Sequence, residues 1–344
     1  MVPKGTWRSA PPAIAQSMLS QCDSKVVLGL RATLPPLPHY RSSLRKLQHS
    51  SGDPIADRRA GYAEALAAEG AFKEAAEVLA QALDRVADWA AGWANLGRYR
   101  EEQGDLVAAE AAWRRSAELD REGFYGAALK LAAHGLAGEA AGGAYVETLF
   151  DDYAGRFEKS LVDRLGYRTP GELGALLAGL GREPGGTAYD LGCGTGLMGA
   201  VLRPVVRRLE GVDLSEAMLA EARRKGVYDR LVRAELLAFL AGAEPAGLMT
   251  ATDVLNYVGP IPPVLAAVQR GLLPGGLFGF SLETYEGLEA VKLRSSLRYA
   301  HNGAAALAAC LAAGFEIAAK QDTVIRWDRG VPVAGLLLVV RKPG

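Results

Sequence analysis

Three alternating glycines, Gly192, Gly194 and Gly196, follow an acid in the stretch Tyr189-Asp190-Leu191-Gly192-Cys193-Gly194-Thr195-Gly196. A backbone that lacks Cβ at every second position can bend sharply and let a ligand lie against the peptide planes. The run from Gly194 to Gly199 also fits the Gly-x-Gly-x-x-Gly pattern of dinucleotide sites. Such a ligand brings a pyrophosphate to the N-terminus of the following helix, where a carboxylate just ahead of the glycines would repel it. Asp190 suits a cationic ligand instead. Cys193 counts with the loop's ligand-binding residues, its small side chain filling space.

The pattern acid-x-Gly-x-Gly-x-Gly, matched by Asp190, Gly192, Gly194 and Gly196, resembles the first motif of the class I S-adenosylmethionine-dependent methyltransferases. The implied cofactor is S-adenosyl-L-methionine, which carries an ammonium and a sulfonium. The run Leu209-Glu210-Gly211-Val212-Asp213 reads as a second strand ending in an acid. In this kind of fold such an acid takes the ribose hydroxyls, because two carboxylate oxygens can each accept a proton. Leu214 would then lie against the adenine. A third strand, Leu231 to Ala234, ends at Glu235, where similar families place an acid for the adenine amine, more commonly aspartate. The turn Leu272-Leu273-Pro274-Gly275-Gly276-Leu277-Phe278 and the segment Leu149 to Phe157 also resemble this class. The resemblance implies that aromatic residues of the latter segment help close the cofactor pocket. Tyr153 is the expected lid residue, since its hydroxyl wants a polar partner, and Phe150 is expected in the core.

A fourth strand, Leu248 to Thr252, runs beside the glycine loop and brings Asp253, Asn256 and Tyr257 near the reactive methyl group. The expected chemistry is an in-line displacement in which the protein aligns two reactants and excludes water. A hydroxyl or carboxyl acceptor would want a base, and Asp253, Tyr257 and His301 are the candidates. An imidazole can be neutral near pH 7 and ready to accept a proton, which singles out His301. The alternative for His301 is an exposed place beside Asn302, a ready N-cap for the helix that follows.

These residues require an α/β fold with a Rossmann-like, seven-stranded class I methyltransferase sheet. A helix over Pro170 to Leu180 precedes a core that begins at Thr187, and Ser215 caps the helix after the second strand. Another helix, Leu265 to Leu273, is stopped by Pro274-Gly275-Gly276 before a fifth strand over Leu277 to Leu282. A helix over Ala304 to Ala313 leads into the runs Glu316 to Ile325 and Val333 to Val340, the expected closing antiparallel pair. Upstream, Arg59 to Val86 aligns with Trp93 to Asp120 at an offset of 34 residues, the tetratricopeptide period. An all-α domain of helical hairpins is therefore expected over residues 54–136, capped by Phe124 to Leu136. Residues 137–143 read as a hinge, 144–344 as the methyltransferase domain, and 1–53 as a disordered leader.

Lys plus Arg and Asp plus Glu both number 39, so the formal net charge is zero. No global field draws the chain to nucleic acid, and no apolar run approaches the ~20 residues of a membrane span. The three cysteines, Cys22, Cys193 and Cys310, show no paired spacing, which suits a reducing cytoplasm and predicts no metal site. The expected partners are a small-molecule methyl acceptor and a protein held in the groove of the repeats. The rival reading is a tetratricopeptide adaptor whose second domain senses a nucleotide-like ligand without turnover.

Overall fold

A computed structural model describes residues 50–137, 142–154, 167–181, 186–328 and 330–344. Most of the expected leader, part of the hinge and residues 155–166 lie outside the described residues.

Two helical hairpins come first: α1 (Pro54–Ala68) with α2 (Phe72–Leu83), and α3 (Ala90–Glu102) with α4 (Leu106–Leu119). Asp53 caps α1 by accepting from the amides of Ile55 and Ala56, and Pro54 sits at the first helical turn, where a missing N–H costs nothing. The second hairpin repeats the first. Gly70 and Gly104 turn the two hairpins with φ of 88° and 90°, a conformation glycine adopts without strain. Ala75 and Ala109 are both fully buried. The hairpins are joined by Glu64, which accepts from Arg98 at 3.1 Å and from the Tyr99 hydroxyl at 2.8 Å. At Gly97 a Cβ would stand 2.3 Å from the Trp113 indole, so the small residue is what lets α3 and α4 close on that ring. A shorter helix, α5 (Ala127–Ala133), covers part of the stretch expected as the cap and packs on Trp113 and Ala109.

Helices α6 (Gly143–Tyr153) and α7 (Thr169–Gly179) lead to the sheet. Its parallel strands are β1 (Thr187–Leu191), β2 (Arg208–Asp213), β3 (Arg230–Arg233), β4 (Ala246–Ala251) and β5 (Leu272–Glu283). They alternate with α8 (Leu197–Leu202), α9 (Glu216–Lys225), α10 (Leu236–Gly242) and α11 (Pro262–Gly271). A small ribbon, β6 (Val291–Leu293) and β7 (Tyr299–His301), then precedes α12 (Gly303–Ala312) and the long antiparallel pair β8 (Glu316–Asp328) and β9 (Val331–Arg341). The seven-stranded order is β3-β2-β1-β4-β5-β9-β8, with β9 antiparallel to β5.

Alternation along β1 divides the core. Tyr189 and Leu191 pack with α10 to α12, and Ala188 packs with α7 and α8 on the other face. The chain reverses direction across the sheet between β1 and β4, so a crevice opens beyond their carboxyl ends, where ligands of open α/β sheets bind. One expectation fails locally. Pro274-Gly275-Gly276 does not separate helix from strand, because β5 already starts at Leu272 and the triplet bulges out of it. Gly275 has φ of 74° and its amide bonds to the Lys342 carbonyl, so backbone pairing continues through the bulge.

Candidate active site

The glycine loop joins β1 to α8, and its three glycines have different physical reasons. A Cβ on Gly192 would lie 2.4 Å from a Val254 methyl, and one on Gly196 would lie 2.9 Å from the Tyr228 ring. On Gly194, with φ of 52°, it would meet nothing within 4 Å. Gly194 therefore presents bare backbone to open space. The other glycines around it seat a tyrosine: Cβ atoms on Gly199 and Gly211 would stand 2.2 and 2.9 Å from atoms of Tyr228. This ring is the feature the sequence did not reveal.

Tyr228 donates to Asp190 Oδ2 at 2.6 Å, and Thr250 donates to Asp190 Oδ1 at 3.0 Å. The Gly199 amide, in the first turn of α8, also bonds to this carboxylate. Asp190 is fully buried, and burial pushes its pKa up to about 6. The acid expected to meet a cation directly thus lies beneath the loop, tying the N-terminus of α8 to β1 and β4. Cys193 is likewise buried, its amide bonded to the Val212 carbonyl and its thiol pushed well above the ordinary range by burial. It fills space, as its size suggests.

Asp213, at the end of β2, is half-buried and accepts from the Gly194 amide at 2.8 Å and the Ser215 amide at 2.9 Å. It holds the loop over the crevice, and burial raises its pKa. Ser215 caps α9 as expected and donates its hydroxyl to Asp151 at 2.5 Å. Asp151 comes from α6, so the helix ahead of the sheet is latched beside the cofactor side. Leu214 is half-buried, and its carbonyl accepts from Arg233. Glu235 is exposed and caps α10, its carboxylate accepting from the Ala238 amide at 2.9 Å. Tyr153 ends α6, but its side chain lies outside the described residues.

Beyond β4 and β5 sits a buried ionic cluster. Arg298 donates to Asp253 Oδ1 at 2.6 Å, to Glu283 Oε1 at 2.6 Å and to the Tyr257 hydroxyl at 2.5 Å. Arg326, from β8, donates to the same Glu283 oxygen at 2.5 Å. Burial pushes Glu283 upward, but the guanidiniums of Arg298 and Arg326 outweigh it and hold the carboxyl below its usual range. Burial pushes the Tyr257 hydroxyl well up. Its ring lies against Phe150 edge-on at 5.2 Å and under the Arg298 guanidinium at 4.6 Å. Phe150, expected in the core, is only partly buried and packs on a site residue. Asp253 has φ of 59°, an uncommon conformation for a residue other than glycine and one that concentrates at functional sites. Asp253, Asn256 and Tyr257 are brought together as the sequence implied; Glu283 and the two arginines join them from distant segments.

No hydrogen bond among the described residues joins the His301 side chain to this cluster. His301 is 2% exposed, and its Nε2 lies 2.8 Å from the Gly259 carbonyl. A carbonyl only accepts, so Nε2 carries the proton and Nδ1 is the bare nitrogen, buried with no partner among the described residues. Burial lowers its pKa. His301 locks β7 to the loop after β4, and the expected alternative of an exposed side chain is equally not what the structure shows. Asn302, as expected, caps α12.

Three features of the site bear on its fit to an adenosyl cofactor. Gly194 offers open backbone, Asp213 offers carboxylate oxygens beside it, and two buried oxygens at this end of the sheet, Thr195 Oγ1 and Asn256 Oδ1, lack partners among the described residues. Unmet buried acceptors are costly unless a ligand supplies donors. The residues present fit such a group.

Residues 188–276 match the family described as a methyltransferase domain. Malonyl-[acyl-carrier protein] O-methyltransferases are similar over part of their length: the protein from Enterobacter lignolyticus is 27% identical over 118 residues, covering 34% of this chain and 47% of that one. The protein from Pectobacterium atrosepticum is 29% identical over 114 residues, covering 33% and 44%. The chain thus spans about half the length of the curated relatives it matches. Among solved structures, an S-adenosylmethionine-dependent methyltransferase from Clostridium acetobutylicum is 18% identical with a TM-score of 0.43, covering 57% of this chain and 99% of that one. One from Mesorhizobium loti is 23% identical with a TM-score of 0.40, covering 49% and 96%. The stretch that matches the methyltransferase-domain family, residues 188–276, lies on a mostly parallel, Rossmann-like seven-stranded sheet.

Proposed function

We propose that the protein transfers a methyl group to a small-molecule or carrier-bound acceptor in the cytoplasm. The observation that carries this reading is Gly194, whose open, positively twisted backbone is held over the crevice by the Asp213 carboxylate. S-adenosylmethionine bound there supplies an electrophilic methyl group on a sulfonium. Gly194 and its neighbours would hold the cofactor's backbone-facing edge, Asp213 the ribose hydroxyls, Leu214 the adenine, and Glu235 the rim near the adenine amine. Gly192 and Gly196 shape the loop, and Asp190 fixes it from below through Tyr228, Thr250 and the Gly199 amide. Tyr153 is proposed as the lid.

On the acceptor side, the chain's own groups are positioners more than bases. Asp253 is paired with Arg298, Glu283 is held ionised by Arg298 and Arg326, Tyr257 is pushed up by burial, and His301 is packed away. An acceptor that arrives already deprotonated, such as a carboxylate, matches this clamped arrangement best. It also agrees with the acceptor named for the curated relatives. Arg298 has N–H groups beyond the three bonded ones, since a guanidinium carries five. Those are the groups that would orient such a carboxylate toward the methyl, with Asp253 and Tyr257 fixing the guanidinium and Phe150 excluding water.

The two hairpins are proposed to be tetratricopeptide repeats with α5 as their cap. The 34-residue correspondence of Gly70 with Gly104 and of Ala75 with Ala109 supports this. Their groove would hold a protein partner, such as an acceptor's carrier. The test is to incubate the purified chain with isotopically labelled cofactor and a cell extract, and to follow both labelled product and S-adenosylhomocysteine by mass spectrometry. Cofactor binding with neither product would favour a sensor without turnover.

A further inference from the structure

Arg298, which makes the acceptor-side cluster, is reached through a tight turn. The Leu297 amide bonds to the Arg294 carbonyl at 2.8 Å, and the Arg294 amide bonds to the Arg298 carbonyl at 2.9 Å. Within this turn Leu297 has φ of 61°, a genuine outlier for a bulky side chain. Strain of this kind persists only where the surroundings impose it. Leu297 is 6% exposed, and what buries it is the helical region ahead of the sheet. It packs with Leu129 of α5 and Tyr145 of α6. Gly126, at the start of α5, lies so close that a Cβ would stand 3.3 Å from Leu297 and 2.8 Å from Tyr145.

A second tie runs beside the first. Lys130 of α5 donates to the Ser295 carbonyl at 2.8 Å and pairs with Glu101 of α3 at 2.7 Å. Glu101 also meets His134 at 2.8 Å, and His134 stacks on Trp113 of α4 at 5.4 Å. A continuous set of contacts therefore joins the second helical hairpin to the turn that presents Arg298.

We propose that the helical region completes the acceptor side of the pocket: it holds Leu297 in its strained conformation and so seats Arg298 on Asp253, Glu283 and Tyr257. Leu297 is a positioning residue acting through Arg298, and a partner that moves α3 or α5 alters acceptor recognition while leaving the cofactor loop alone. The functional meaning rests on the reading of the Arg298 cluster as the acceptor side. The structural coupling does not.

Hydrogen exchange on the full chain, read by mass spectrometry, tests it. Leu297→Ala should speed exchange about tenfold or more both at residues 294–298 and in the separate segment 253–259, while β1 and β2 keep wild-type protection. Affinity for S-adenosylhomocysteine should stay within about threefold. Leu297→Met, close in volume, should restore protection in both segments. Lys130→Met, which removes the bond to Ser295, should shift the same two segments and serves if Leu297→Ala fails to fold. Faster exchange at 294–298 with 253–259 unchanged would overturn the proposal, as would a uniform rise across the sheet, which marks a merely structural role. Failure of the wild-type chain to bind S-adenosylhomocysteine would sink the functional reading and leave the exchange result standing.

Discussion

Gly194→Ala and Gly199→Ala, a few residues apart, should fail in opposite ways. At Gly194 the added methyl meets no protein atom within 4 Å but must be carried at φ of 52°. An alanine in the left-handed region costs roughly 1–2 kcal/mol, so the domain loses some stability and still folds. The methyl then occupies the space proposed for the cofactor, and affinity for S-adenosylhomocysteine should drop at least about tenfold, or about 1.4 kcal/mol. At Gly199 the backbone is helical, and alanine gains about 0.8–1.0 kcal/mol in propensity. Its methyl, however, would lie 2.2 Å from the Tyr228 hydroxyl and 2.3 Å from the ring carbon that bears it. That ring cannot simply swing away, because its hydroxyl is bonded to the buried Asp190. Overpacking costs typically about 1–3 kcal/mol, and contacts this short fall in the upper part of that range, about 2–3 kcal/mol, so the net effect is a loss of about 1–2 kcal/mol with affinity per folded molecule near wild type. Urea unfolding and calorimetric titration with S-adenosylhomocysteine separate the two. Gly194→Ala binding like wild type, or Gly199→Ala as stable as wild type, would refute the division of the glycines into ligand-facing and tyrosine-seating positions.

Asp190→Asn should flatten the pH dependence of stability. Because the buried acid has its folded pKa raised to about 6 from 3.8, the folded state holds the proton more tightly between those values. Wild-type stability relative to the variant therefore falls as pH rises from about 4 to about 7, by up to about 3 kcal/mol; a constant difference over that range in urea titrations would contradict the assignment. His301→Ala should lower stability by about 1–3 kcal/mol, since the Gly259 carbonyl loses its donor, while turnover per folded molecule changes only severalfold. A hundredfold fall in turnover with the fold intact would return His301 to the reacting centre. A chain beginning near Ala144 should keep its cofactor affinity, measured by calorimetry, because every proposed cofactor residue follows that point; loss of binding with circular dichroism intact would show that the helical hairpins complete the cofactor pocket.

The elements of the proposed cofactor side are legible because their signals are local. Glycine spacing, the acid that ends β2 and the caps at Ser215 and Asn302 can be read from neighbours in the chain, and the structure places them on the expected elements. What escaped is long-range. Tyr228 is 38 residues from Asp190, yet it explains Gly196, Gly199 and Gly211 at once, and nothing in its own neighbourhood announces a buried ring. Glycines that read as ligand contacts were partly a seat for a side chain. Arg298 and Arg326 reach Glu283 from 15 and 43 residues away, the first out of a segment without a strong period. His301 looked like an available base by residue type, and only the packing of β7 against the loop after β4 shows it turned inward. The Pro274-Gly275-Gly276 triplet suggested a break, whereas strand pairing with the last residues of the chain carried β5 through it.

Binding of S-adenosylmethionine by the Gly194–Asp213 arrangement can be read by calorimetric titration of the wild-type chain and Asp213→Ala with S-adenosylhomocysteine. Saturable binding by the wild type is expected, weakened by one to two orders of magnitude in the variant, since a hydrogen bond to a charged group contributes about 1.5–3 kcal/mol. Part of that loss can come through the loop, because Asp213 also holds the Gly194 amide. Affinity in Asp213→Ala within about threefold of wild type, or wild-type protein that takes up a nicotinamide dinucleotide and ignores S-adenosylhomocysteine, would contradict cofactor binding by that arrangement.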